Sequence, residues 1–455
     1  MKRIVITSLA VTLQLAAATA QVTGNISTGW TLDSCMRYAV EHATDVERET
    51  INARQRRRDY NDAKAAFLPT VTANVSGQYS WGRNIDPESN TYNNVTTFNN
   101  YYQVYASLTL FDGMATINSL RQARLARSYS TTAMQKVKEE KAISVMEKFV
   151  EAAYNEESIR IAREKLAESR RLLLKTQRLY ELGEKARPDV VEMESQVAED
   201  EYNLTHQQNT SRQALLALKS AMNYPVSDTL RLSFADSKIS ALPSHLTATS
   251  MAQDGESLYA TFHAVSPSIK SAEYTVASAR YDYRIAKGKL LPSLSLEGGF
   301  STNFYKNLSQ GGQYDGFASQ LSNNRGEYLV LSLSVPIYNA STWHSVRKAR
   351  SNWQLAQVAL EEAQRKLHDD ICQAVMDAQG YAVETVQMEK KVKSDSLAYY
   401  MQSRKFEEGM LSTFDLHTSS QKLLESRIKL LQMQLMLIIK QRLVAYYAGD
   451  GIIRE

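Results

Sequence analysis

The side chains best suited to chemistry lie scattered along this 455-residue chain. Its seven histidines form no His-Glu-x-x-His pair. His368 and Cys372 stand one helical turn apart, a spacing met more often in helix packing than in a metal pair. The adjacent acids Glu139-Glu140 and Asp369-Asp370 fall in helical stretches, where consecutive side chains diverge around the axis, so they read as solvated faces. A Gly-Lys-Ser/Thr phosphate loop and a Gly-x-Ser-x-Gly nucleophile elbow are both missing. The expectation is therefore a protein that is not an enzyme, with no catalytic residue, no metal and no cofactor. Two acids do occupy matched places, Asp189 and Asp415, and the elements that position them are the next question.

Those places match because the sequence repeats itself. Val46–Pro69 aligns with Ile269–Pro292 without a gap at an offset of 223, and YELGEKARPDVVEMESQ from Tyr180 aligns with FEEGMLSTFDLHTSSQ from Phe406 at an offset of 226. Gly183 then stands over Gly409 and Asp189 over Asp415. This internal tandem duplication predicts two structural repeats, 21–222 and 255–455, separated by a connector over 223–254 that holds Pro225 and Pro243. Residues 1–20 show Lys2 and Arg3, an apolar run and Ala18-Thr19-Ala20, the order of a secretory signal peptide. Lys and Arg total 53 against 49 Asp and Glu, a balance that points to no nucleic-acid partner. The run Arg56-Arg57-Arg58 reads as a solvated helix face. Cys35 and Cys372 do not correspond under the repeat; they read as incidental buried thiols, with a bridge left open by the oxidising compartment.

Four segments alternate apolar with polar residues: strands 70–81, 101–111, 293–304 and 327–337. Each is close to the length of ~9–11 residues with which a tilted strand crosses a bilayer. Tyr79, Trp81, Tyr101, Tyr102, Phe304, Tyr305 and Tyr328 gather at one end and Phe111 and Tyr338 at the other, as an interfacial girdle does. An ordinary antiparallel sheet with one solvated face is the competing reading. Polar loops are expected over Gly82–Asn100 and Lys306–Glu327.

Helical patterns fill the rest. Ala115–Leu182 and Ser341–Glu408 contain no proline, and at 1.5 Å per residue each would reach roughly 100 Å. Gly183 and Gly409 end them where a C-terminal cap needs positive φ. Pro188 and Asp189 restart the first return helix, so each repeat makes a helical hairpin. The return helices carry a narrow apolar seam, Val190, Met193, Val197 and Leu204 in one and Leu424, Ile428, Leu431, Leu435 and Ile438 in the other. The fold class expected is an α+β membrane protein: long antiparallel helical hairpins forming an α-barrel, plus four transmembrane β-strands per chain. Four strands cannot close a barrel, because open edges in lipid leave backbone groups unpaired; two chains would supply eight strands and three would supply twelve.

The duplicated Leu-Pro into strand, LTLFDGMATINSLRQAR from Leu108 with LSVPIYNASTWHSVRKAR from Leu333, and the two hairpins with Gly183/Asp189 and Gly409/Asp415 resemble the TolC-like outer membrane efflux proteins. The resemblance spans nearly all of the mature chain. It implies a homotrimer with a trimeric 12-strand β-barrel set in outer membrane lipid and a long periplasmic extension, working with a periplasmic adaptor (membrane fusion) protein and an inner-membrane transporter as the exit duct of a tripartite efflux or secretion system. It places the adaptor contact on Gly183, Glu184, Lys185, Gly409, Met410 and Leu411, and a pore constriction on Asp189 and Asp415. Leu411 and Thr418 depart from the basic and acidic residues of some relatives. An alternative role for either aspartate is that of a first-turn acid stabilising its helix. A trimeric coiled-coil stalk or adhesin is the competing functional class, and a periplasmic enzyme scaffold the third.

Overall fold

In a computed structural model the described residues are 29–85, 90–233, 254–309 and 315–453. The signal-peptide reading of 1–20 lies outside them, as does most of the connector. The elements run α1 (Leu32–His42), α2 (Thr44–Ala65), β1 (Thr70–Ile85), β2 (Tyr92–Asp112), α3 (Ala115–Glu181), α4 (Arg187–Met222), α5 (Gly255–His263), α6 (Pro267–Gly288), β3 (Ser293–Asn307), α7 (Phe317–Asn323), β4 (Gly326–Ser334), α8 (Ala340–Glu407) and α9 (Thr413–Tyr447). They divide into two compact units, one of Arg48–Gln135 with Val265–Lys366, the other of the remainder.

The first unit holds a single antiparallel sheet in the order β1-β2-β3-β4. Its register confirms the alternation: Ala73 faces Val104, Val104 faces Phe300, and Leu296 faces Leu331. Directly opposed residues share a face, so the apolar sets of all four strands form one surface. Much of that surface is bare, with Val75 70% and Leu329 74% exposed, while α7 covers one end of it, Phe317 meeting Tyr102 and Phe304.

All four strands differ from the expected bounds, β3 by running on past residue 304 to Asn307. β1 and β2 run to Ile85 and from Tyr92, inside the expected loop Gly82–Asn100, because Val95, Thr96, Thr97 and Phe98 are strand formers whose backbone pairs whatever the side chains do. β4 stops at Ser334 instead of residue 337, because Pro336 lacks the N–H that a ladder needs. The expected loop before β4 contains α7, whose Gln320 takes the place of a strand partner: its side chain accepts from the Tyr305 N–H at 2.9 Å and donates to the Tyr305 carbonyl at 3.0 Å. The girdle also needs correction. Tyr101, Tyr305 and Tyr328 lie on the polar face, while a bulge at Leu110 turns Phe111 to the apolar face opposite Leu294. Arg56 is not merely solvated: it pairs with Glu49 at 2.6 Å and lies over the Tyr129 ring.

The second unit is helical. Its core joins Met36, Val145, Met146, Phe149, Leu218, Met222 and Leu435. Leu230 and Leu232, at the start of the expected connector, are buried in the same core, and Leu232 bridges to Trp30. The narrow-seam expectation holds in part. Val190, Met193, Leu431 and Leu435 are buried, but on α4 the seam continues through Gln196 and Asp200 instead of Val197 and Leu204. Glu139 is not a free surface acid; it accepts from Tyr446 Oη at 2.6 Å, and burial together with this bond pushes the phenol well above its ordinary value. Both cysteines are free, and burial pushes the Cys35 thiol up to about 12. His368 Nε2 sits 3.0 Å from Glu256 and 3.8 Å from Cys372 Sγ, tying α5 to α8.

Candidate functional site: the paired hairpin tips

The two helical hairpins end in matching turns. At the first, Glu184 N–H donates to Leu179 O at 2.9 Å and Gly183 N–H to Tyr180 O at 3.0 Å; at the second, Met410 N–H donates to Lys405 O at 2.9 Å and Gly409 N–H to Phe406 O at 3.1 Å. This is the Schellman closure, and it requires a left-handed residue, supplied by Gly183 at φ +79° and Gly409 at φ +74°. No atom lies within 4 Å of the place a Cβ would occupy on either glycine. The requirement is conformational, so Gly183→Ala is expected to cost about 1 kcal/mol.

The tips also touch. Lys185 Nζ lies 5.0 Å from the centre of the fully buried Phe406 ring, and Lys175 reaches Glu407 at 3.7 Å. Thr413, the first residue of α9, donates to Glu192 at 2.5 Å and to Asp189 Oδ1 at 3.4 Å on α4. Lys185 is thus half-buried, while Leu182, Met410 and Phe414 are each more than 60% exposed. Glu184 is exposed and Leu411 half-buried.

Both aspartates do structural work. Asp189 Oδ2 accepts from the Ala186 N–H at 3.1 Å at the start of α4. Asp415 Oδ2 accepts from Ser412 Oγ at 2.7 Å, and its own N–H donates back to that oxygen at 3.1 Å. The first-turn role is therefore present at both positions. Asp415 is exposed, however, and Asp189 half-buried, so neither carboxylate is consumed by its cap. Thr413→Val is expected to weaken the tip contact by about 1 kcal/mol, read as faster proteolysis at the turns. Sequence reasoning missed Thr413, Phe406 and Lys175, whose signal is contact between segments more than two hundred residues apart.

Among the described residues no helix is long and apolar enough to cross a membrane. No group of three or more His, Cys, Asp or Glu placed to hold a metal occurs among them.

The sequence profile of the family described as "Outer membrane efflux protein" matches residues 37–224 and 258–449. No curated protein sequence matches the chain. Among solved structures, the outer membrane protein VceC of Vibrio cholerae superposes with a TM-score of 0.74 at 12% identity, covering 92% of this chain and 96% of that one. The outer membrane channel CmeC of Campylobacter jejuni gives 0.73 at 13% identity, over 93% and 87%. The open state of the MtrE outer membrane channel of Neisseria gonorrhoeae gives 0.68 at 18% identity, over 93% and 90%.

Proposed function

Since this chain belongs to the outer membrane efflux protein family, we propose that three copies assemble into one exit duct, each giving four strands to a twelve-strand barrel in the outer membrane and two hairpins to a periplasmic tunnel. The protein performs no reaction; it lends a lumen to a pump. The observation that carries this reading is the sheet: an apolar face left largely bare, with β1 and β4 as its edges among the described residues. In lipid an open edge leaves backbone groups unsatisfied, so β4 of one copy must pair with β1 of the next. Eight strands would be filled by their own side chains, whereas twelve leave room for water. On α8, Met376, Val383, Val386, Leu397 and Tyr400 are exposed at near-heptad spacing, and neighbouring copies would cover them. A stalk standing in water has no use for the bare strand face.

The duplication sets the register of the junction. Ala73 aligns with Leu296 at the offset of 223, and they face Val104 and Leu331 respectively, so Leu331 takes the place of Val104. Val104 faces Phe300, which aligns with Gly77. Leu331 should then face Gly77, and Leu333 should face Val75, of the next copy. Val75→Cys with Leu333→Cys is expected to give disulfide-linked oligomers in oxidised outer membranes, while Val75→Cys with Ser332→Cys, whose side chains leave opposite faces, is not. Absence of any intermolecular link in the first pair would sink the barrel.

The exposed Leu182, Met410 and Phe414 support docking of the tips on a periplasmic adaptor that is joined to an inner-membrane transporter. Asp189 and Asp415, brought together from three copies, would form an acidic constriction. Photo-crosslinking probes at Leu182 and Met410 should capture that adaptor in cells. Capture of nothing but this chain, with an adaptor present, would overturn the docking role.

A further inference from the structure

Apart from Val330 and one acid, the polar face of the sheet is lined by serine, threonine, asparagine, glutamine, tyrosine and glycine. Along it, from Thr70 to Ser80 on β1, Thr97 to Thr109 on β2, Ser293 to Asn307 on β3 and Gly326 to Ser334 on β4, the described residues include no basic side chain. They include one carboxylate, Glu297. The nearest other acid on that side, Asp112 opposite Ser293, is committed to starting α3: its Oδ2 accepts from the Thr116 N–H at 2.8 Å and from Thr116 Oγ1 at 2.6 Å.

Glu297 is held in a built arrangement. Tyr328 Oη donates to Glu297 Oε1 at 2.9 Å and accepts from Gln103 Nε2 at 2.9 Å, which joins β4, β3 and β2. The Tyr328 ring reaches across β3 because Gly299 stands opposite it: a Cβ there would lie 2.7 Å from the ring atoms. A chain that needed only a hydrogen-bond anchor for Tyr328 had glutamine at hand, as Gln103 shows. A carboxylate adds negative charge at a defined height.

We propose that Glu297 is a selectivity-determining residue of the outer-membrane passage, which makes its lumen favour cationic and disfavour anionic solutes. This rests on the trimeric reading, which turns the polar face inward and places three such carboxylates at one level of a wall that carries no compensating positive charge. Charges in a narrow aqueous tube with low-dielectric walls act over the whole cross-section, because field lines are confined to the lumen.

Ser295 lies two residues from Glu297 on the same face, so a cysteine there reports the local potential. In a Cys372→Ser background, with Cys35 buried, Ser295→Cys channels in outer membranes are treated with a trimethylammonium and with a sulfonate methanethiosulfonate. The cationic-to-anionic rate ratio is expected to fall about fivefold when Glu297→Gln is added, which keeps the bond to Tyr328 and removes the charge. An unchanged ratio in an intact oligomer would overturn the proposal and leave the duct standing. Failure of both water-borne reagents to react at Ser295→Cys, and equally at Ser332→Cys across the ladder, would show that this face is not the lumen and would overturn the duct reading with it.

Discussion

Gly113→Ala should remove the folded, heat-modifiable form of the oligomer proposed above from the outer membrane. Gly113 joins the end of β2 to the start of α3 at φ +66°, where an L residue is strained. The larger obstacle is steric. A Cβ on Gly113 would lie 2.1 Å from the Gly288 carbonyl oxygen and 2.8 Å from its carbon, and a Cβ on Gly288 would lie 2.5 Å from the Gly113 oxygen. These neighbours are backbone, so no rotamer change relieves the clash. Left-handed strain of ~1–2 kcal/mol plus the separation of α6 from the β2–α3 junction puts the loss beyond ~4 kcal/mol, the range reserved for a few severe mechanisms. Gly183→Ala is the matched control, with a similar φ and open space around it, and should leave the oligomer in place. Normal oligomer from Gly113→Ala would mean that the backbones at Gly113 and Gly288 do not meet as described.

That contact marks the boundary of what was readable from the sequence. The long helices were legible almost to the residue, since 3.6-residue patterning runs unbroken and a glycine ends each: α3 stops at Glu181, one residue short of the expectation, and α8 at Glu407. The face of every strand was legible because period 2 admits only two answers. The close approach of Gly113 and Gly288 was not, because it joins a loop and a helix end that no local pattern relates, and the second repeat has Tyr338-Asn339 near the matching place. The Leu110 bulge was hidden for a similar reason, as an extra strand residue changes no residue type. Pro336 was visible and should have ended β4. At the tips the glycines declared themselves, while the role of Lys185 depended on Phe406 from the other hairpin.

The polar break in the helical seam is the second place where a single change should be severe. Asp200 on α4 is 2% exposed and accepts from Ser169 Oγ and, at 2.9 Å, from Gln196 Nε2. Lys165 on α3 is 8% exposed and bonds Ser420 Oγ on α9; burial pulls its amine below the ordinary lysine value, and Asp200 is the strongest of the carboxylates pulling it back. The two line one groove with His206 and Gln207. Asp200→Ala strips the acceptor from two buried donors and the main counter-charge from a buried cation, a combination that costs about 3–5 kcal/mol. The midpoint for thermal loss of the oligomer should fall by several degrees. Asp200→Asn, which keeps an acceptor, should lose about half as much. Lys165→Met added to Asp200→Ala should recover part of the loss, since an apolar replacement of both partners leaves no charge stranded. The pH dependence has a defined sign. A lysine held below its unfolded value binds fewer protons when folded, so stability of the parent should rise with pH between the two values, and that slope should vanish in Lys165→Met. If Asp200→Ala melted with the parent, the layer would be solvated rather than buried, and the three helices would owe their register to the apolar core around Met146 and Leu218 alone.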